Sequence, residues 1–212
     1  MLSILRSNNR YFLFSFLLAF CLLTTTPVWA TGARACKDSA PYETRSMQAH
    51  FVGEDTKGNG LGNPQGRTVY LDAGQRSQLA IQVKGGLLYL ASDSTTPLTI
   101  QEGLYVMDSG GNIYVGDRNL IQKVGITLGK EPGVPRKTAR FYLLHHSSFL
   151  AGGPVAAAGH ITVRAGVVTE INNESGHYRP ADCNTRQAVA QLTSLGVNTG
   201  ATSVKDSSAP AR

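Results

Sequence analysis

Three times this chain places a short apolar run, a glycine-bearing break and a second short apolar run in succession. "LAIQV" and "LLYLA" flank Lys84-Gly85-Gly86, "LYVMD" and "NIYVG" flank Ser109-Gly110-Gly111, and "HITV" and "VVTEI" flank Arg164-Ala165-Gly166. Runs of four or five residues are strand-sized and too short for an independent helix. Glycine supplies the positive φ that tight hairpin turns require. Such a chain is constrained to antiparallel hairpins, and the fold class it predicts is mainly β (α+β): a curved or barrel-like antiparallel sheet with one C-terminal helix. "RTVYLD" (67–72) and "FYLLHHSSFL" (141–150) read as further strands. Residues 120–140 read as irregular, ending in an exposed basic loop with two prolines.

The third hairpin can be placed in register. With Gly166 left-handed in a three-residue loop, Val163 faces Val167 and Ile161 faces Thr169. Ile161, Val163, Val167 and Ile171 then share the core face, and His160 sits across from Glu170. The helix is predicted from Asn184 as cap, Gln187 as its capping-box partner, a stripe of Ala188, Val189, Leu192 and Leu195, and Gly196 as terminator. Beyond Asn198 the chain is small and polar and is predicted to be disordered.

The N-terminus reads as a secretory leader. Arg6 and Arg10 precede a run, 11–23, that is apolar but for Ser15, and Val28 and Ala30 stand where a signal peptidase reads. Thirteen residues are too few to span a bilayer, so no stable membrane anchor is expected after cleavage. The expected organisation is a signal peptide (1–30), a polar glycine-rich segment (31–66), a β domain with its helix (67–197) and a tail (198–212). The expected location is secreted or periplasmic, where Cys36 and Cys183 should form a disulfide. A net charge of +6 falls to +4 without Arg6 and Arg10. With no basic stripe among aromatics, nucleic acid is not an expected partner.

Candidate chemistry lies in "HHSSFLAGGPVAAAG" (145–159) and "SGHYRP" (175–180). Strand alternation would send His145 and His146 to opposite faces and put His146 with Ser148. The candidate ligand-binding residues are His146, Ser148, His177, Tyr178 and Arg179, gathered in one polar pocket where the two segments meet. Histidine titrates near neutrality, so His146 or His177 is also a candidate general base of a hydrolase or transferase. No G-x-S-x-G presents either serine as a nucleophile. His146, His160 and His177 are the histidines a zinc ion would gather, but no H-x-H, H-E-x-x-H or C-x-x-C is present, so no metal and no cofactor is expected. The functional expectation is a secreted or periplasmic ligand- or partner-binding or effector module, with a small ligand or a protein as partner and an enzyme as the alternative.

These segments resemble a block of the plant IQ-motif calmodulin-binding proteins of the IQM type, written K/H-HSSF-L-x-GG-x-x-x-x-AG and followed by SGHY-x-P. Similar blocks occur in bacterial and fungal proteins, some of them toxin-like. The likeness extends from about residue 67 to 198. It implies no defined chemistry. The plant proteins carry an IQ motif ahead of the block, and an I-Q-x-x-x-R-G-type basic helix is not seen here, so calmodulin is not an expected partner.

Overall fold

The hairpins form where the glycine breaks place them. In the computed structural model, which describes residues 36–57, 65–135 and 138–207, β2 (Ile81–Lys84) pairs antiparallel with β3 (Leu87–Leu90), β4 (Ile100–Met107) with β5 (Ile113–Gly116), and β8 (Ala157–Arg164) with β9 (Val167–Asn172). The leader expected over 1–30 lies outside the described residues. Among the described residues no helix is long and apolar enough to cross a membrane.

The central sheet runs β10 (Ser203–Lys205), β9, β8, β4, β5, so the second and third hairpins join through an antiparallel β4·β8 pair. A three-stranded sheet runs β1 (Gly66–Thr68), β7 (Phe141–Leu143), β6 (Gly129–Lys130), and β2·β3 stands as its own pair. The fold is mainly β as expected, but the sheets do not close into a barrel. Nor is pairing wholly antiparallel: β1·β7 and β9·β10 are parallel.

Both faces of β4 and β8 are buried, and alternation divides the core in two. Tyr105, Met107, Ile161 and Val163 join Leu88, Ile171 and Leu192 on one face, beneath the C-terminal helix. Val106 and Ala158 face the other way and join Ile121, Phe149 and Tyr178. Each large side chain so buried contributes about 1.5–3 kcal/mol through removal of apolar area from water.

The C-terminal helix, α4 (Asp182–Ser194), begins earlier than predicted. Ala181 is its N-cap, and the Ala181 amide donates to Asn184 Oδ1 at 2.9 Å. Asn184 and Gln187 do not cap each other; both donate to the Ala156 carbonyl and fasten the helix to β8. Ala188 and Leu192 are fully buried, whereas Leu195 is exposed. Gly196 ends the helix at φ +92°. A disulfide joins Cys36 to Cys183, with Cα atoms 5.3 Å apart, and ties the N-terminal segment to the first turn of α4.

Further expectations are corrected. Among the described residues three short α-helices stand besides α4: α1 (Ala73–Gln78), α2 (Arg118–Lys123) and α3 (His146–Phe149). Asp72 caps α1 by accepting from the Gln75 amide, and Asp117 caps α2 by accepting from the Leu120 amide. The turn of the third hairpin holds Ala165 and Gly166 alone, and a bulge falls between Thr162 and Val163. Val163 therefore faces Val168, which is buried, and Val167 is exposed; Glu170 stands opposite Thr162, not His160. Lastly, the tail is ordered through Ser207. β10 (Ser203–Lys205) adds to β9, and the Ser207 amide donates to Asn173 Oδ1 at 2.7 Å. Residues 208–212 lie outside the described residues.

Candidate functional site

"HHSSF" does not continue β7. The His145 amide donates to Ser148 Oγ and the Ser148 amide donates back to the His145 carbonyl, each at 3.0 Å, which closes a single helical turn. Side chains on a turn do not alternate. His145 and His146 therefore line the same cleft, contrary to the strand reading. The cleft has a volume of about 790 Å³ and is bounded also by His160, the Asn173–His177 loop, Arg179 and Phe51. "HHSSF" and "SGHYRP" thus meet in space.

His146 is buried, and its Nε2–H donates to the Gly159 carbonyl at 2.9 Å. Burial pushes its pKa down to about 3, against the raising effect of that bond. The ring is neutral at neutral pH. His160 meets it edge-on with ring centres 5.7 Å apart, and places Nδ1 3.4 Å from Glu174 Oε2.

His177 follows β9 in the turn over 176–178. Its ring stacks on Phe51 with centres 4.0 Å apart, and its Nε2 lies 2.8 Å from Glu54 Oε2. The His145 ring is 4.5 Å from that of His177. His145 Nδ1 lies 2.9 Å from Thr68 Oγ1 and 3.7 Å from Glu54 Oε2. Ser147 Oγ donates to the other carboxylate oxygen of Glu54. Glu54 itself is 1 % exposed. Burial alone would raise its pKa, but the hydrogen-bonding groups of His145, His177 and Ser147 outweigh burial and hold the carboxyl well below the usual carboxylate range.

Of the residues predicted from sequence, His146, His177 and Arg179 line the cleft, and Arg179 does so with φ +44°. Ser148 and Tyr178 do not. Ser148 is buried and closes the α3 turn. The Tyr178 hydroxyl donates to the Gly153 carbonyl at 2.8 Å, with its ring in the core, and burial pushes its pKa up. Sequence reasoning missed Glu54 and Phe51, which sit in a turn-rich stretch without a motif, and set His145 on the wrong face.

A family model described as "IQ motif-containing protein middle domain" matches residues 134–185. Among curated proteins of Arabidopsis thaliana, IQ domain-containing protein IQM1 is 30% identical over 131 residues, 61% of this chain and 22% of that protein. IQ domain-containing protein IQM3 is 55% identical over 47 residues, 22% of this chain and 10% of that protein. This chain spans about a fifth, or less, of the length of these relatives. No solved structure matches it. The matches show a relationship to the plant IQM-type proteins.

Two expectations fall with these matches. The relatives are IQ domain-containing proteins, of the calmodulin-binding kind that the resemblance named, so the exclusion of calmodulin does not stand. The same relationship replaces the reading as a secreted effector module, and its alternative as a hydrolase or transferase with His146 or His177 as base. The geometry agrees for His146, because a ring held neutral down to about pH 3 is a weak base.

Proposed function

We propose that this chain provides a middle-domain-type unit of an IQM-like, calmodulin-linked protein, with the histidine cleft as the face that meets its partner. One observation carries this reading. Every residue lining the cleft, apart from Phe51, Leu104 and Ser207, falls within the segment 134–185 that matches the IQM middle domain. The piece of chain held in common is the piece that shapes the concave surface. The net charge of +6 suits an acidic partner such as calmodulin, since opposite charge raises the rate of encounter.

The test is capture of the full chain on immobilised calmodulin, with calcium and with chelator. Retention in either condition, tighter than about 100 µM (about 5.5 kcal/mol of binding free energy), is the expected result. Arg179→Glu, a charge reversal at the exposed rim, should weaken it several-fold. Retention in neither condition overturns the proposal, and an Arg179→Glu variant that binds as the parent does moves the contact away from the cleft.

A further inference from the structure

Three ligating side chains from three distant stretches converge beside the cleft. An oxygen of Glu54, a ring nitrogen of His145 and a ring nitrogen of His177 all lie within 4.8 Å of one another. Oε2 of Glu54 is the hub, 2.8 Å from His177 Nε2 and 3.7 Å from His145 Nδ1. A tetrahedral ion with bonds of about 2.0–2.1 Å holds its ligand atoms roughly 3.3 Å apart. The two measured separations bracket that value, so small side-chain movements would close the set around an ion.

The donor set has a chemical preference. Two imidazoles and a carboxylate suit zinc and the neighbouring divalent transition ions, and three protein ligands leave one position open. That position would face the cleft, which His145 and His177 line.

The surroundings carry the inference further. Glu54 is buried, and a carboxylate taken out of water needs a compensating charge or hydrogen-bonding partners. Among the described residues its partners within 4 Å are imidazoles and the Ser147 hydroxyl, with no lysine or arginine. Ser147 occupies Oε1 and so turns Oε2 toward the histidines, which is how outer-shell groups orient a ligand. Phe51 fixes the plane of the His177 ring by stacking. The Thr68 hydroxyl holds the His145 ring at its Nδ1 and is the group an incoming ion displaces.

We propose that Glu54, His145 and His177 bind one divalent transition-metal ion of the zinc class, with its open coordination position facing the cleft. No local motif announces the site, because Glu54 stands 123 residues before His177 in sequence, where zinc motifs bring ligands within a few residues of each other.

The test uses the full chain without a histidine tag, stripped with chelator and dialysed. Zinc is titrated by calorimetry, and cobalt(II) by its visible absorption, which is intense in a tetrahedral site. One equivalent should bind with a dissociation constant in the micromolar range or below. His145→Ala removes a partly buried ligand whose side chain is 21% exposed, should keep the fold by circular dichroism, and should weaken zinc by at least about tenfold. Glu54→Gln should do the same. If Glu54→Gln fails to fold, His145→Ala decides alone. His160→Ala, elsewhere in the cleft, should bind as the parent does. Absence of saturable binding at about 100 µM zinc, unchanged affinity in His145→Ala, or loss in His160→Ala overturns the proposal.

Discussion

Gly159→Ala should destabilise the centre of the sheet, and the structure says by how much. A Cβ at position 159 would stand 2.7 Å from the Asn172 carbonyl carbon and 3.0 Å from Asn172 Oδ1, and nearer still to the Asn172 carbonyl oxygen. These atoms are backbone or are pinned by it, so they cannot swing aside. Three hydrogen bonds meet at this contact: Tyr105 OH to the Asn172 carbonyl at 3.0 Å, the His160 amide to Asn172 Oδ1 at 2.8 Å, and His146 Nε2 to the Gly159 carbonyl at 2.9 Å. Forcing a methyl group into a packed interior costs about 1–3 kcal/mol. Each buried group left without its partner costs about 1–3 kcal/mol more. A loss of about 2–6 kcal/mol follows if one such bond breaks with the repacking. At about 2–4 °C per kcal/mol for a domain of this size, the melting temperature should fall by about 10 °C. The assay is thermal unfolding by circular dichroism beside Gly176→Ala. A Cβ at 176 meets nothing within 4 Å, so that variant should stay within about 0.5 kcal/mol of the parent. If Gly159→Ala melts with Gly176→Ala, the claim that this glycine is required by backbone approach is refuted.

Opening the Cys36–Cys183 disulfide, which closes a loop with a sequence separation of 147, should cost up to about 5 kcal/mol on the chain-entropy argument; urea midpoints with and without reductant measure it, and a change below about 1 kcal/mol contradicts it. Tyr178→Phe leaves the Gly153 carbonyl without its donor and should cost about 1–2 kcal/mol in the same assay, while an unchanged midpoint would show that water replaces the hydroxyl. The hydroxyl of Thr95 and the amides of Thr95 and Thr96 all donate to Asp93 and hold its pKa down to about 2, from an ordinary 3.8. A depressed carboxylate favours the folded state above 3.8, and that contribution is lost as pH falls through about 2. Carboxylate NMR should find the low value, and Asp93→Asn should remove this acid dependence; titration at 3.8 or above contradicts the assignment.

The hairpins were legible because turn chemistry and alternation act within a dozen residues. Registers were less so: the bulge at Thr162/Val163 exchanges Val167 for Val168 in the core, and nothing local distinguishes two adjacent valines. α1 and α2 hold six residues each, fewer than two turns, so no apolar stripe can develop although Asp72 and Asp117 stand at their caps. "HHSSF" misled because four residues satisfy a strand pattern and a helical turn equally, and Ser148 Oγ chooses the turn. His146, His177 and Arg179 could be selected by residue type alone. Glu54 could not, since its role depends on contacts 93 and 123 residues away in sequence.

That last feature separates what is inherited as a block from what works as a unit. Residues 134–185 carry His145, Ser147 and His177, yet Glu54 and Phe51, which orient them, belong to a stretch far upstream. A peptide cut to the block would hold all four of the cleft's histidines without the Glu54 carboxylate that gathers His145 and His177. Grafting the block into another protein would likewise transfer a wall without its floor. The constellation is legible only in the folded chain, where an acidic residue 93 positions before Ser147 comes to accept from its hydroxyl.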